Sequence, residues 1–422
     1  MQPNRRQFLA TCGATLAAER MVMEQGRWPS TFPALSQRIN GHPLTYLDSA
    51  ATTLRPQSVI DAIVRYYSGS NANPSPVHTL ASRAAELLSD ARGAVARFVN
   101  ARDAAEIIFV RGTTEGINLI ADTWGAANLK TGDDVVLTVV EHSSNLMPWT
   151  RAARRAGAHI RVLDVDDEGR LQLSELERLL SKRTRLVAFS HVSNVLGLVN
   201  PVKEICALAR EAGACSVIDG AQGMPHARVD VQDIGCDFYV FSGHKMLGPM
   251  GTGVVWGRGE VVNAMPPYHV GSNMAHAVDF EHADFEAGAM KFQAGTPDVA
   301  GPVGLAAAVR FFETAGHDAI QRHDADLTEY GLKRLAEIPG IRILGSTRSS
   351  GRVPVFTFVM KDHTPASIAR ALDARGIAVR AGDLAALPLL NRFGATAAAR
   401  ASAYLYSTRS DLDRLAETLQ EL

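Results

Sequence analysis

The octapeptide from Phe238 to Lys245 joins a buried apolar run to a polar turn that ends on a lysine. Four apolar residues bounded by Ser242 and Gly243 are typical of a buried strand. An ammonium group at the end of such a strand is partly desolvated, which lowers its pKa and makes the neutral amine available. A positioned neutral amine is what Schiff-base chemistry with pyridoxal 5'-phosphate (PLP) requires. A surface lysine just beyond a strand is the alternative.

Three further polar side chains follow predicted strands. Asp219 could hold the N–H of a pyridinium ring and keep the ring an electron sink, while Gln222 could donate to its phenolic oxygen. His142 could stack on the ring or move protons. The alternatives are an aspartate that caps the following turn and a structural histidine.

Hydroxyl, amide and guanidinium groups complete the candidate set. Thr113 and Thr114 open a predicted helix, where backbone N–H groups and hydroxyls bind anions, unless they only cap it. Arg380 and Arg400 are predicted at ends of later strands and could bind a carboxylate, or they form ion pairs of little consequence. Asn194 lies past a strand, where turn formation is the simpler interpretation.

The pattern around these residues predicts an α/β fold with a seven-stranded, mostly parallel sheet covered by helices on both faces. Ligands bind at the carboxyl ends of such strands, where the polar turns lie. The predicted strands are Ile107–Val110, Val135–Val139, Ile160–Leu163, Leu186–Phe189, Ser216–Ile218, Phe238–Phe241 and Gly253–Trp256.

The rest of the chain predicts a second, smaller α+β domain. A helical region covers about 303–337, and alternating strands and helices follow it. We expect a leader at 1–30, a large PLP-binding domain at 31–300 and a C-terminal domain at 301–422.

The leader contains Asn4–Leu9, which resembles a twin-arginine export motif and precedes a short apolar segment. Such motifs are receptor-read addresses. Met21 or Met23 could instead be the true start, so both a cytoplasmic and an exported protein are consistent with the sequence.

Bulk properties narrow the class of partner. The 422 residues are 46% hydrophobic and 21% charged, with a net charge of -1 and no long run of one sign. This composition argues against nucleic-acid and membrane partners. The four cysteines show no metal-ligand spacing, so we expect no metal.

Six strings together are similar to one known family over about residues 32–422. They resemble the class V aminotransferase family of fold-type I PLP enzymes, and more narrowly the SUF-type cysteine desulfurase/selenocysteine lyase branch. The strings are Tyr46–Thr53, Phe109–Asn118, His191–Gly197, Val217–Gln222, Phe238–Lys245 and Ala294–Pro297.

The resemblance implies a role for each candidate. Lys245 would bind PLP covalently, with Asp219 and Gln222 on the ring and His142 stacked above it. The residues implied at the phosphate are Thr114, Ser242 and His244, with Thr113 beside them.

Family members are homodimers with active sites at the subunit interface, so Thr296 would reach the phosphate of the neighbouring subunit. The positions that match the substrate side are Arg400, which holds the carboxylate, Arg380, Asn194 and His78.

One position departs from the family's pattern. Its desulfurases carry a catalytic cysteine on the loop after the strand that matches Ile377–Arg380, and here that position is Ala385, after Asp383 and Leu384. We therefore expect cleavage of a C–S or C–Se bond in a sulfur- or selenium-containing amino acid without an enzyme persulfide. A PLP-dependent epimerase or aminotransferase and a degenerate desulfurase paralogue are the alternatives.

Overall fold

The computed structural model describes residues 28–422, so the predicted leader motif Asn4–Leu9 lies outside the described residues. The predicted seven-stranded sheet is present, and each predicted strand is found within two residues of its expected bounds. Its strands are β1 Ile107–Val110, β2 Asp134–Thr138, β3 His159–Leu163, β4 Thr184–Ser190, β5 Cys215–Asp219, β6 Phe238–Ser242 and β7 Gly253–Gly257.

The order across this sheet is β1-β7-β6-β5-β4-β2-β3. Strand β7 runs antiparallel between β1 and β6, and the other neighbouring pairs are parallel. The carboxyl ends of the other six strands therefore meet at one edge. Strands β2, β5, β6 and β7 are almost wholly buried, which explains their continuous apolar runs.

Helices cover both faces of the sheet, as predicted. The helices of eight residues or more are Gln57–Gly69, Thr79–Phe98, Thr113–Ile120, Ser143–Ala156, Val202–Glu211, Ala300–Ala315, His317–Ala336, Pro365–Ala374 and Arg409–Gln420. Shorter α-helices are Ala126–Asn128, Leu173–Leu179, Gly223–His226, Val231–Ile234, Gly259–Ala264 and Leu387–Arg392. The helical region predicted at 303–337 is two helices, because Gly316 breaks it with φ 77°.

The C-terminal part contains a second, antiparallel sheet in the order β8-β9-β11-β10. Its strands are β8 Ile341–Ile343, β9 Val355–Met360, β10 Arg380–Gly382 and β11 Ala398–Ser402. Arg400 is therefore at the centre of β11 and not at a strand end, which corrects the prediction.

Short strands and turns join the two parts. Thr45–Tyr46 pairs with Ile377–Ala378. The segment 268–297 contains a hairpin of Ala275–Val278 and Ala283–Phe285. Arg38–Ile39 and His42–Pro43 form another two-residue pair. The helix that begins at Ala300 packs on two N-terminal helices, and the exact division at 300/301 stays a prediction.

None of the helices in residues 28–422 is both long enough and apolar enough to cross a bilayer.

Candidate active site

A cavity of about 530 Å³ lies where the carboxyl ends of the parallel strands face the C-terminal sheet. Both parts of the chain line it. The lining residues that the sequence singled out are Thr113, Thr114, His142, Asn194, Asp219, Ser242, His244, Lys245, Arg380, Asp383, Leu384, Ala385 and Arg400. The topology thus collects side chains that are up to 287 positions apart in the sequence, from Thr113 to Arg400.

Lys245 lies just past β6, in a short 3-10 turn at the floor of the cavity. Burial lowers the pKa of its amine, and the nearby Arg400 guanidinium lowers it further, while Asp219 opposes both. Burial raises the pKa of Asp219, although Lys245 and the N–H of Ala221, 2.9 Å from Oδ1, favour its carboxylate. The lysine is therefore an amine that loses its proton readily, beside a buried carboxylate that needs a cationic partner.

His142 caps the helix Ser143–Ala156, and its Nδ1 accepts a hydrogen bond from the N–H of Ser144 at 3.1 Å. Burial, with help from Lys245 and Arg400, lowers the pKa of His142 to about 4. The ring is therefore neutral at physiological pH, with its proton on Nε2. A neutral ring with one fixed nitrogen is suited to stacking on a flat aromatic group.

The helix Thr113–Ile120 begins at the cavity, and hydroxyl groups surround its N-terminus. The hydroxyl of Ser242 accepts from the N–H of Thr113 at 2.8 Å and lies 2.7 Å from the Thr113 hydroxyl. Thr114 Oγ1 lies 2.7 Å from Ser144 Oγ. Gly116 permits this approach, because a Cβ there would lie 2.6 Å from Val240 Cγ1 on β6. Free N–H groups and hydroxyls at a helix start form an anion site.

His244 adds a donor or acceptor at the same end. Its Nδ1 is buried and has no hydrogen-bond partner within residues 28–422. Burial, together with Lys245 and Arg55, lowers the pKa of His244 to about 4, so the imidazole is neutral. A buried ring nitrogen without a partner indicates a place for a ligand.

Arg380 and Arg400 form the opposite wall. They are direct register partners on β10 and β11, and both reach Asp48. Arg380 Nη2 lies 2.5 Å from Asp48 Oδ2, and Arg400 Nη2 lies 3.5 Å from Oδ1. Arg400 is 3% exposed, and its buried Nε has no partner in the described chain. Two guanidinium groups that share one carboxylate leave one positive charge for a ligand's carboxylate.

The loop 383–385 closes this wall and has an unusual backbone. Leu384 and Ala385 both adopt left-handed conformations, with φ of 51° and 52°. The carbonyl of Leu384 accepts from Asn194 Nδ2 at 2.9 Å, and that of Ala385 accepts from both the N–H and the hydroxyl of Ser143, at 2.7 and 2.9 Å. These bonds hold two residues in a conformation that costs roughly 1–2 kcal/mol each.

Three candidates do not line the cavity. The side chain of Gln222 is buried, and its Nε2 donates to the carbonyl of Ala50 at 2.6 Å. Its contact with the phenolic oxygen of the ring stays a prediction. His78 is exposed and caps the helix Thr79–Phe98, and Thr296 is exposed on a loop. His78 does not line the cavity of its own chain, and its place on the substrate side stays a prediction.

Two residues at the site were not singled out from the sequence. Asp48 was quoted only within a matching string, because its arginine partners lie 332 and 352 positions away and leave no local pattern. Ser143 follows a candidate directly, but its contact with the Ala385 loop exists only in three dimensions. The position of Asp48 just after a short strand was the available signal.

Comparison with known proteins gives a consistent result. The family model described as Aminotransferase class-V matches residues 45–415. A probable cysteine desulfurase of Halalkalibacterium halodurans is 45% identical over 391 residues, which is 92% of this chain and 96% of that protein. A cysteine desulfurase of Enterobacter sp. (strain 638) is 43% identical, over 93% of this chain and 96% of its own.

The chain belongs to the class V aminotransferase family. It is a PLP-dependent enzyme of the cysteine desulfurase type.

Solved structures agree on the architecture. The Escherichia coli cysteine desulfurase CsdA, in an S-sulfonic acid form, superimposes with a TM-score of 0.87 and 34% identity over 94% of this chain and 97% of that one. The cystine C–S lyase C-DES, in complex with its reaction product cysteine persulfide, has a TM-score of 0.80 over 93% and 99% of the two chains. Its identity is 22%, so this second likeness concerns the fold alone.

Members of this family use PLP, and the cavity fits it. The hydroxyl-lined helix start and the partnerless Nδ1 of His244 suit a phosphate, and the buried Asp219 suits a protonated ring nitrogen. Neutral His142 suits the ring face, and Lys245 would supply an amine for the aldehyde carbon. The donor set thus matches the charge of each part of the cofactor.

Proposed function

We propose that this enzyme cleaves the C–S or C–Se bond of a sulfur- or selenium-containing amino acid by elimination, without an enzyme persulfide. The observation that carries the proposal is the side chain at position 385. Ala385 lines the cavity that contains Lys245, and a methyl group has neither the lone pair nor the charge needed to attack sulfur.

No cysteine of residues 28–422 replaces it. Cys215 begins β5, whose other end, Asp219, is at the cavity, and four strand residues span roughly 13 Å. Cys236 precedes β6 at the same far edge, and Cys206 lies on a helix that packs there. Burial raises the pKa of Cys206 to about 12 and raises those of Cys215 and Cys236 well above their usual value. These are thiols and not thiolates.

The residues present are sufficient for elimination. When bound, PLP withdraws the electron pair that remains at the substrate Cα after deprotonation. Arg400 holds the α-carboxylate, and the Lys245 amine takes the Cα proton. The Cβ–S bond then breaks with its electron pair on sulfur, and a double bond forms between Cα and Cβ.

The leaving group decides which substrates react without a nucleophile. From L-cystine, the sulfur departs as cysteine persulfide, and water converts the remaining three-carbon unit to pyruvate and ammonium. All atoms balance with one water molecule, and no oxidant or reductant is consumed. L-Selenocysteine and cysteine conjugates with a stabilised thiolate also leave readily, whereas the sulfide of free cysteine is a poorer leaving group.

Product analysis tests the proposal. The holoenzyme is incubated with L-cysteine, L-cystine and L-selenocysteine, and pyruvate, alanine and protein-bound persulfide are measured. We expect pyruvate, and no persulfide on the protein. The variant A385C is the matched control, and we expect it to gain persulfide and to release alanine from L-cysteine. Persulfide on the native enzyme would refute the proposal, and racemised or transaminated products would favour the epimerase or aminotransferase.

We also propose that the enzyme is a homodimer. The helix Gln57–Gly69 exposes one apolar stripe, with Ile60, Val64 and Tyr67 at 36%, 58% and 58% exposure. Thr296 is exposed and does not line its own cavity, as expected of a residue that serves the neighbouring subunit. Sedimentation equilibrium of the wild type and of a Val64→Glu variant measures the association, which we expect the charge to weaken.

A further inference from the structure

Asp383 places an uncompensated carboxylate on the rim of the active-site cavity. Its side chain is exposed, and Oδ1 accepts one hydrogen bond, from the N–H of Ala385 at 3.1 Å. No arginine, lysine or histidine of residues 28–422 forms an ion pair with it. Its charge acts on His142, whose pKa it raises against the effect of burial. Asp383 is therefore part of the cavity lining and lies close enough to His142 to act on its pKa.

The backbone fixes this position. Asp383 precedes the two left-handed residues Leu384 and Ala385, whose carbonyls are bound by Asn194 and Ser143. Leu384 is also 8% exposed and packs in the main core. A loop held at three points presents its side chains in one arrangement, so the charge at residue 383 is a permanent feature of the pocket.

The charges opposite Asp383 divide into two sets. Arg400 is buried and is placed to hold the α-carboxylate near Lys245. Arg380, three residues before Asp383, has a side chain that is 50% exposed and lies nearer the mouth. The Arg380 guanidinium already pairs with Asp48, so the outer part of the cavity offers the Asp383 carboxylate, which matches the ammonium of a second amino-acid unit.

We propose that Asp383 determines substrate specificity by binding an ammonium group at the far end of the substrate. The substrate class that this selects is the amino-acid disulfide with two amino-acid ends, of which L-cystine is the simplest member. Conjugates with a neutral or anionic tail are disfavoured. The inference rests on the proposed lyase function and adds the identity of the distal group.

The test uses ligands that have no leaving group on Cβ and therefore cannot undergo elimination. The dicarba analogue of L-cystine has two methylene groups in place of the sulfurs, and the same compound without its distal amino group is the matched ligand. Binding of both to the holoenzyme is measured by calorimetry. We expect the wild type to bind the diamino compound roughly fivefold more tightly, because a solvent-exposed charge pair contributes about 1 kcal/mol at most.

Three variants separate charge from structure. D383N keeps an acceptor for the N–H of Ala385 and removes the charge, so we expect it to bind both compounds alike. D383A removes both the charge and the acceptor. Asp90→Asn controls for the change in net charge, because Asp90 lies on an exposed part of the helix Thr79–Phe98, and we expect this variant to keep the fivefold preference.

Two outcomes would overturn the inference. One is a wild type that does not distinguish the two compounds. The other is a D383N variant that keeps the preference for the diamino compound while D383A loses it. Asp383 would then act only as the acceptor for the N–H of Ala385. Binding needs no bond cleavage, so a failure of the elimination reaction itself would appear in the pyruvate assay and not here.

With L-cystine and a cysteine conjugate that has an uncharged, stabilised aryl thiolate as substrates, the same D383N substitution should lower kcat/KM only for L-cystine, again about fivefold. An equal loss on both substrates would contradict a role in recognising the distal group.

Discussion

The two walls of the cavity differ in how their chemistry is built. The cofactor wall consists of strand ends of the parallel sheet, where Asp219 is buried, Lys245 and His142 are half-buried, and Lys245 interacts electrostatically with both. The opposite wall contains the loop 383–385, in which Leu384 and Ala385 have left-handed backbone conformations. This loop ends on the methyl side chain of Ala385. The first wall can remove a proton, but the second cannot attack sulfur.

This difference separates two halves of a reaction that other members of the family combine. Deprotonation at Cα depends on buried charges that a rigid sheet positions, whereas transfer of sulfur depends on one side chain on a loop. Changing that side chain leaves the charges at Lys245 and Asp219 unaltered. We therefore expect elimination from substrates that carry a good leaving group on Cβ, because this reaction needs the residues of the cofactor wall but no nucleophile at position 385.

The largest expected effect is at the cofactor wall. We expect Lys245→Ala to lower kcat by at least about 1,000-fold, because it removes the base that takes the Cα proton. Pyruvate release and the absorption of bound cofactor measure the loss. Lys203→Ala is the control, since Lys203 is exposed and pairs only with Asp233 in the described chain. A Lys245→Ala enzyme whose kcat is within tenfold of the wild-type value would contradict the assignment of proton removal to the cofactor wall.

A smaller effect is expected at the loop. Asn194→Ala removes the hydrogen bond to the Leu384 carbonyl but keeps the backbone oxygen that binds Arg400. We expect a loss of about 1 kcal/mol in the free energy of unfolding and roughly a tenfold loss in kcat/KM, with unchanged cofactor content. Denaturant unfolding and steady-state kinetics measure both.

Ser143→Ala provides the matched comparison for the loop, because the N–H of Ser143 still binds the Ala385 carbonyl. Its effect should be smaller than that of Asn194→Ala. The reverse order would show that the loop is not held mainly through Leu384.

The last prediction concerns the pH dependence of the free energy of unfolding. Burial lowers the pKa of His142, His191 and His244 from 6.5 to about 4. Between these values the unfolded chain binds protons that the folded chain does not, so the free energy of unfolding rises with pH in this window and is lost as pH falls. Urea unfolding of the holoenzyme at about pH 5 and about pH 7 measures the slope.

His191→Gln should reduce that slope, because His191 is only 5% exposed. Equal slopes in the wild type and in His191→Gln would contradict burial as the cause.

Much of the cofactor wall was predictable from the sequence. The apolar run before Ser242 predicted a central strand, and parallel strands bring their carboxyl ends together, so Lys245, Asp219 and His142 were expected at one edge. The structure places all three in one cavity. Local hydrophobic patterning was sufficient here because each of these residues directly follows or ends its own strand.

The substrate wall was decided by tertiary structure. Arg400 was expected at a strand end and lies mid-strand, opposite Arg380, because short strands with alternating alanines give no sharp boundary. The sharing of Asp48 between the two arginines joins residues more than 300 positions apart.

The sequence by itself determined which residues could do chemistry and that position 385 carries no nucleophile. Only the tertiary structure determined the left-handed backbone at Leu384 and Ala385, because neither residue type favours that conformation and the bonds from Asn194 and Ser143 impose it. Asp383 precedes these two residues and lines the cavity, a placement that no local pattern encodes.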